Sequence, residues 1–538
     1  MRHRTTIALL NGTPSNEWPP TLPSAKVAAT LSPTFMTLPL RTLLATTGAA
    51  LLLSLAPTGM VSQPPRQPAS FVITGARIAD GTGAPLRAAS VRVQGDTIAA
   101  VGAITPRAGE PVVNGAGMVL APGFIDTHNH SSSGVEVEPA ATSQVSQGIT
   151  TVAVGPDGSS PWPVGEYLQR VRTKPPTVNV LTFVGHATIR REVIGYDYKR
   201  EATPTEVARM AELVTQAMNE GAFGLSSGLE YEVGSYSATD EVVTMARAAG
   251  AKGGIYMSHI RDEADLAMEA IREAIAIGEQ GKVPVQISHI KLGTVGVWGQ
   301  ANQAVALVEA ARKRGVDVTA DAYPYLAWQS TPRVLVPNKR YTDSASVRRG
   351  LDDIGGAENV QITRWGAHPE FVGKRLDEAA RLLGVSDIEA YIRFQGDEES
   401  GMIGHAMTEA DLRLFYRQPW VMVASDGGIA NNHPRGAGTF PRVLGKFVRE
   451  EQWMTLAEAV HKMSGMPAAR LGLRDRGTIK PGMKADLVLF DPNTIIDRST
   501  FEQPRALATG IQRVWVNGAL VWTGTAVTEA RPGRVLAR

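Results

Sequence analysis

Two histidines one residue apart, His128 and His130, close the run Gly123-Phe124-Ile125-Asp126-Thr127. Side chains at i and i+2 of an extended strand point the same way, so both imidazoles can reach one metal ion beyond the strand end. By itself His-x-His is a weak signal that reads more readily as two solvated rings. Three further β-prone, apolar runs end in the same manner: Tyr256-Met257-Ser258-His259, Val285-Gln286-Ile287-Ser288-His289 and Val421-Met422-Val423-Ala424-Ser425-Asp426. Imidazoles hold a divalent cation that activates water, and a carboxylate beside them moves the proton. Four such endings read as one site.

Composition narrows the chemistry. The chain has no cysteine, which excludes disulfides, zinc ribbons and thiol nucleophiles together. A transition metal must then be held by His and carboxylate, which favours zinc or a similar divalent ion. Lys+Arg 54 nearly balances Asp+Glu 52, and no basic cluster or RNA-binding signature appears, so nucleic acid is not an expected partner. The stretch Gly221-Ala222-Phe223-Gly224 lacks the dinucleotide fingerprint, and Gly155 to Ser160 is not a nucleophile elbow.

The elements that must position these residues follow from the hydrophobic pattern. Strand candidates are Phe124 to Asp126, Thr150 to Gly155, Val178 to Gly185, Phe223 to Leu225, Gly254 to Ser258, Val283 to Ser288, Val316 to Asp321 and Val421 to Ser425. Between them lie stretches with apolar residues at three- and four-residue spacing, such as Thr205 to Glu220, Asp262 to Gln280 and Gln303 to Arg314. Eight strands alternating with helices predict an α/β fold, a closed (β/α)8 TIM-like barrel over residues 123–476, with function at the C-terminal strand ends. Short alternating strands with glycine turns over 71–122 and again over 477–538 predict a small discontinuous β-sandwich built from both termini. The interval from about 326 to 420 is too long for a bare loop and is expected to form a lid or a surface insertion.

Residues 1–70 are set apart as leader and signal peptide. Arg41 precedes an apolar run, Leu43 to Ala56, that is short for a membrane span and is followed by small and turn-forming residues. Met36 is the expected start, and export to a periplasmic or extracellular space is expected, with no stable membrane partner once the signal is removed.

Taken in order, Pro122 to His130, Gly148-Ile149-Thr150-Thr151-Val152, Gly185-His186, Gly224 to Tyr231, Ser258 to Glu263, Ser288-His289-Ile290-Lys291, Asp321 to Tyr325 and Ser425-Asp426-Gly427 resemble the amidohydrolase superfamily. Within it, the chain is similar to the D-aminoacylase and N-acyl-D-amino-acid deacylase family, from about Phe71 to the C-terminus. The resemblance implies one or two Zn2+ ions at the barrel mouth, one held by His128 and His130, the other by His259 and His289. It departs at the bridging ligand: the family carries a cysteine where this chain has Asp157, and other amidohydrolases use a carboxylated lysine or a glutamate that would correspond to Glu230. Glu230 is preferred as the bridge because it is expected to end a strand, whereas Asp157 sits in a Pro/Gly turn with an ordinary turn-former reading.

The resemblance also distributes roles. Asp426 is expected to take a proton from the attacking water and hand it to the leaving nitrogen. His186 either polarises the scissile carbonyl or is structural. Lys291, Tyr323 and Ser330 resemble the family's contacts to the free carboxylate of the substrate, although Tyr323 reads equally as barrel packing. Tyr231, Arg261, His433 and Arg435 are rim candidates. His368, His405 and His461 match no motif and read as structural or exposed. The expected activity is hydrolysis of an N-acyl-D-amino acid to a D-amino acid and a carboxylate. The alternatives are another amide (a dipeptide, a cyclic amide or an N-acylated xenobiotic) and a metal-free scaffold without activity. Homo-oligomerisation is left open.

Overall fold

The computed structural model describes residues 70–538; the leader and its signal-like run lie outside them. Eight parallel strands form the barrel: Phe124–Asp126, Ile149–Val154, a third in two pieces (Asn179–Thr182 and Val184–Gly185), Gly224–Gly228, Ile255–His259, Val285–Ile287, Val318–Ala322 and Val421–Val423. The third strand breaks at Phe183, so its first piece pairs with the second strand and its second piece with the fourth. Closure between the first and eighth strands occurs at the motif residues themselves: Asp426 N donates to His128 O at 3.0 Å and His130 N to Gly427 O at 2.7 Å. Every residue of the first six strands is buried. That explains why they read as continuous apolar runs rather than as alternating ones.

Helix boundaries follow local chemistry. Pro204–Glu220 starts at a capping box in which Thr203 and Glu206 bond each other's backbone, and it ends at Gly221 with φ of 115°. The helix expected from Asp262 begins only at Ala267. The Asp262 carboxylate accepts from the backbone of Ala264 and Leu266 and holds a turn there instead.

Both termini supply the sandwich. Leu487–Phe490 pairs antiparallel with Val119–Pro122, in the register Leu487↔Pro122 and Phe490↔Val119. Alternation divides each strand between two cores: Leu120, Leu487 and Leu489 face the sandwich interior with Phe71 and Trp515, while Val119, Ala121, Val488 and Phe490 pack toward the barrel.

After the seventh strand comes an insertion with its own core, including Trp328, Trp365, Tyr391, Phe394 and Met402. It contains an antiparallel sheet ordered Trp328–Ser330, Gly401–Gly404, Val360–Arg364. The helix Glu409–Tyr416, which sequence spacing assigned to the insertion, instead puts Leu412, Phe415 and Tyr416 into the barrel core. Among the described residues no helix is long and apolar enough to cross a membrane.

Candidate metal centre and active site

The four motif histidines and two carboxylates converge at the C-terminal mouth. His128 Nε2 lies 3.2 Å from Asp157 Oδ2 and 3.4 Å from Asp426 Oδ1. His130 Nε2 lies 3.3 Å from Asp157 Oδ2 and 3.0 Å from Asp426 Oδ1. Across the mouth His289 Nε2 is 3.7 Å from the other Asp157 oxygen, and His259 Nδ1 is 3.0 Å from His289 Nε2. His128, Asp157, His289 and Asp426 form one group with metal-ligand spacing, and His259, Glu263 and His289 another.

Asp157 is carried into this cluster by close backbone packing. Its turn follows the second strand, and Gly158 N donates to Ser226 Oγ at 3.2 Å. A Cβ on Gly158 would lie 2.8 Å from Gly228 N, and one on Gly228 would run into the Asp157 carbonyl. Only glycine permits that approach. The expectation that Glu230 ends a strand is corrected here: the fourth strand stops at Gly228, and Glu230 reaches the outer side of His259, with Oε2 2.8 Å from Nε2. Glu230 belongs to neither metal-spaced group, whereas Asp157 lies between the two histidine pairs. The turn-former reading of Asp157 holds for its backbone and misses its side chain.

Carboxylates fix the rings from outside. With Nε2 donating to Glu230, His259 turns Nδ1 inward; His289 Nδ1 accepts from Lys291 Nζ at 2.9 Å and lies 3.1 Å from Glu263 Oε1, which leaves Nε2 turned inward. Asp321 Oδ1 accepts from His289 N at 2.7 Å. Asp126 accepts from Ser425 N at 2.9 Å and from Asn129 Nδ2 at 2.8 Å, and so clamps the first strand to the eighth. Glu263 and Asp321 carry no role expected from the sequence; their positions at or just past strand ends are the signal that points to them.

The donor set fits a divalent cation. Two inward imidazole nitrogens face each other at 3.0 Å, and the buried Asp157 Oδ1 has no hydrogen-bond partner. Burial lowers the pKa of His130 and His289, yet neighbouring carboxylates outweigh it and raise them to about 9 and about 10. Burial pushes Asp157 and Asp426 up, but His128 beside the first and Arg435 beside the second hold both well below the usual carboxylate range. The pocket therefore demands positive charge, which a metal ion would supply. Asp157, His289 and Asp426 also hold positive φ values of 54°, 34° and 48°. Such strain in non-glycine residues clusters at functional sites.

The remaining candidates separate. Lys291 Nζ bonds Glu263 at 2.6 Å; burial lowers its pKa, and Glu263 more than restores it. Arg435 Nη1 lies 2.7 Å from Asp426 Oδ2, with its guanidinium 4.7 Å from the centre of the Tyr323 ring. Burial raises the Tyr323 phenol to about 12, so it remains a donor. The Ser330 hydroxyl is buried without a partner and lines the same chamber as Lys291 and Arg435. Tyr231 lies against His259, ring centres 4.4 Å apart. His433 accepts from Arg435 N through Nδ1 at 3.1 Å and donates to Ala327 O at 3.0 Å, bracing Arg435 as a neutral ring.

His186 is not brought to the mouth: it is fully buried, with Nε2 2.8 Å from Glu241, which also binds Arg190. Its structural alternative is the one the geometry presents. Arg261 pairs with Glu273 on an outer cleft. His368, His405 and His461 bond Glu370, Gln361 and the Gly81 carbonyl, away from the centre.

A parallel barrel with a small sandwich, and histidines and carboxylates at its C-terminal mouth, defines a metal-dependent hydrolase of the amidohydrolase type. Residues 111–522 match the amidohydrolase family. The chain is 37% identical to a D-aminoacylase of Alcaligenes xylosoxydans xylosoxydans, over 89% of this chain and 99% of that protein. It is 36% identical to an N-acyl-D-aspartate deacylase of the same organism, over 87% and 95%. The N-acyl-D-glutamate deacylase of Bordetella bronchiseptica, solved with zinc and a phosphonate mimic of the tetrahedral intermediate, superposes with a TM-score of 0.79 at 34% identity, covering 87% of this chain and 99% of that one. The chain belongs to the amidohydrolase family, in its D-aminoacylase and N-acyl-D-amino-acid deacylase branch.

Proposed function

We propose that this protein is a zinc-dependent deacylase that converts N-acyl-D-amino acids to D-amino acids and carboxylates. The observation that carries the reading is the placement of Lys291 and Arg435 in a chamber that opens on the His and Asp cluster. An ammonium and a guanidinium there suit the free carboxylate of an acyl amino acid; a neutral cyclic amide has no such group to offer.

His128, His130, Asp157, His259 and His289 would hold the ion or ions. Bound there, zinc supplies Lewis acidity that lowers the pKa of water and polarises the amide carbonyl. Asp426 is ionised and faces the same point through Oδ1, while Arg435 holds Oδ2. It accepts the proton of the attacking water and returns it to the leaving nitrogen. Lys291, Arg435, Tyr323 and Ser330 orient the substrate carboxylate, which fixes the α-carbon and hence its handedness.

Elemental analysis together with amine release from paired N-acetyl-D- and N-acetyl-L-amino acids tests the reading. Zinc with D-selective release is expected. Zinc with no release from either would overturn the deacylase assignment, and absence of any bound metal would favour a scaffold. We also propose export, on the charged-then-apolar order of residues 41–56; a mature N-terminus downstream of Ala56 is the expected result of N-terminal sequencing.

A further inference from the structure

The chamber beside the histidine cluster has two chemically different walls. From the barrel come Lys291, Arg435 and Asp426; from the insertion come Trp328, Val334, Leu335 and Pro337. Among the described residues that line it, apart from the histidines, Lys291 and Arg435 are the cations. Each already pairs with one acid, Lys291 with Glu263 and Arg435 with Asp426, and on the deacylase reading both also receive the substrate's α-carboxylate, which leaves neither for a second one. The other ionisable groups there include the acids Glu230, Asp262 and Asp353. The indole N–H of Trp328 is spent on Gly293 O at 3.0 Å, so the ring offers apolar surface.

We propose that this chamber receives the side chain of the substrate's amino acid and selects apolar side chains, such as those of leucine, methionine and phenylalanine, over those of aspartate and glutamate. The inference rests on the deacylase reading and goes beyond it, because a relative whose name specifies no side chain and two whose names specify an acidic one are almost equally similar, at 37%, 36% and 34% identity. An apolar side chain loses water against Trp328 and Leu335 and gains from it. A second carboxylate would be desolvated on the same wall with no free cation to meet it, and with Asp262 and Asp353 nearby. The α-carboxylate differs, since its place is beside Lys291 and Arg435.

The test uses the zinc-loaded full-length enzyme and compares kcat/KM for N-acetyl-D-leucine, -methionine and -phenylalanine with N-acetyl-D-aspartate and -glutamate. The apolar set is expected to lead by at least about a hundredfold. Acidic substrates that equal or exceed it would overturn the proposal while leaving the deacylase reading intact. No release from any N-acyl-D-amino acid would overturn both. Val334→Arg places a cation on the half-buried edge of the apolar wall and is expected to narrow the ratio by about tenfold or more through a gain on the acidic substrates. A variant that kept its fold and zinc but left the ratio unchanged would count against the proposal.

Discussion

Asp157 and His289 face each other across the barrel mouth, Oδ1 of the carboxylate 3.7 Å from Nε2 of the ring, each on a backbone of positive φ. The other Asp157 oxygen lies 3.2 Å from His128. One carboxylate thus addresses both histidine pairs, while Glu230 touches a single ring from behind. Asp157→Ala is expected to lower the metal bound per chain, measured by elemental analysis after gel filtration. Glu230→Ala should keep the stoichiometry and weaken affinity by about 10- to 100-fold, as for an outer hydrogen bond to a ligand histidine. Equal loss in both variants would remove the distinction.

Asp426→Asn should retain metal and fold and lose turnover by about 10²- to 10⁴-fold, the range for a general acid–base group. His186→Gln, by contrast, should stay well above that loss in kcat, because its partner Glu241 lies off the mouth. Steady-state kinetics with circular dichroism on both variants checks the pair of outcomes.

Asp126 joins the first and eighth strands by accepting from Ser425 N and Asn129 Nδ2. Asp126→Asn places an N–H against a donor in this buried clamp. A loss of about 1–3 kcal/mol per unsatisfied group is expected, read by urea denaturation.

His405 is packed between Gln361 and Phe501, and burial, aided by Arg375, lowers its pKa to about 4. The unfolded chain takes up this proton near pH 6.5 and the folded one only near 4. Stability is therefore full above about pH 6.5 and declines as pH falls toward 4, by an amount on the order of 3 kcal/mol from this ring. His433, lowered by burial beside Arg435, adds a loss of the same sign. His405→Gln should flatten the slope of denaturation midpoint against pH across that window.

The lining of the site was legible in the sequence because barrel strands are buried on both faces. Their apolar runs stand out, and His128, His130, His259 and His289, which close or follow such runs, lie at the mouth; His186, directly after the third strand, does not. Local patterning also carried the sandwich, since Ser90–Gln94 alternates and puts Val91 and Val93 into its core. Tertiary structure alone placed Asp157 between the histidine pairs and Glu230 behind His259. Their placement depends on how closely Gly158 and Gly228 pack and on where the fourth strand stops, neither of which is a property of nearby sequence. The same holds for His186, whose partner Glu241 is 55 residues away. It holds also for Trp328 and Leu335, which the insertion brings to the chamber that Lys291 and Arg435 line. Residue type and spacing determine which groups can do chemistry; which of them share a space is set by contacts between distant segments, and those exist only once the chain has folded.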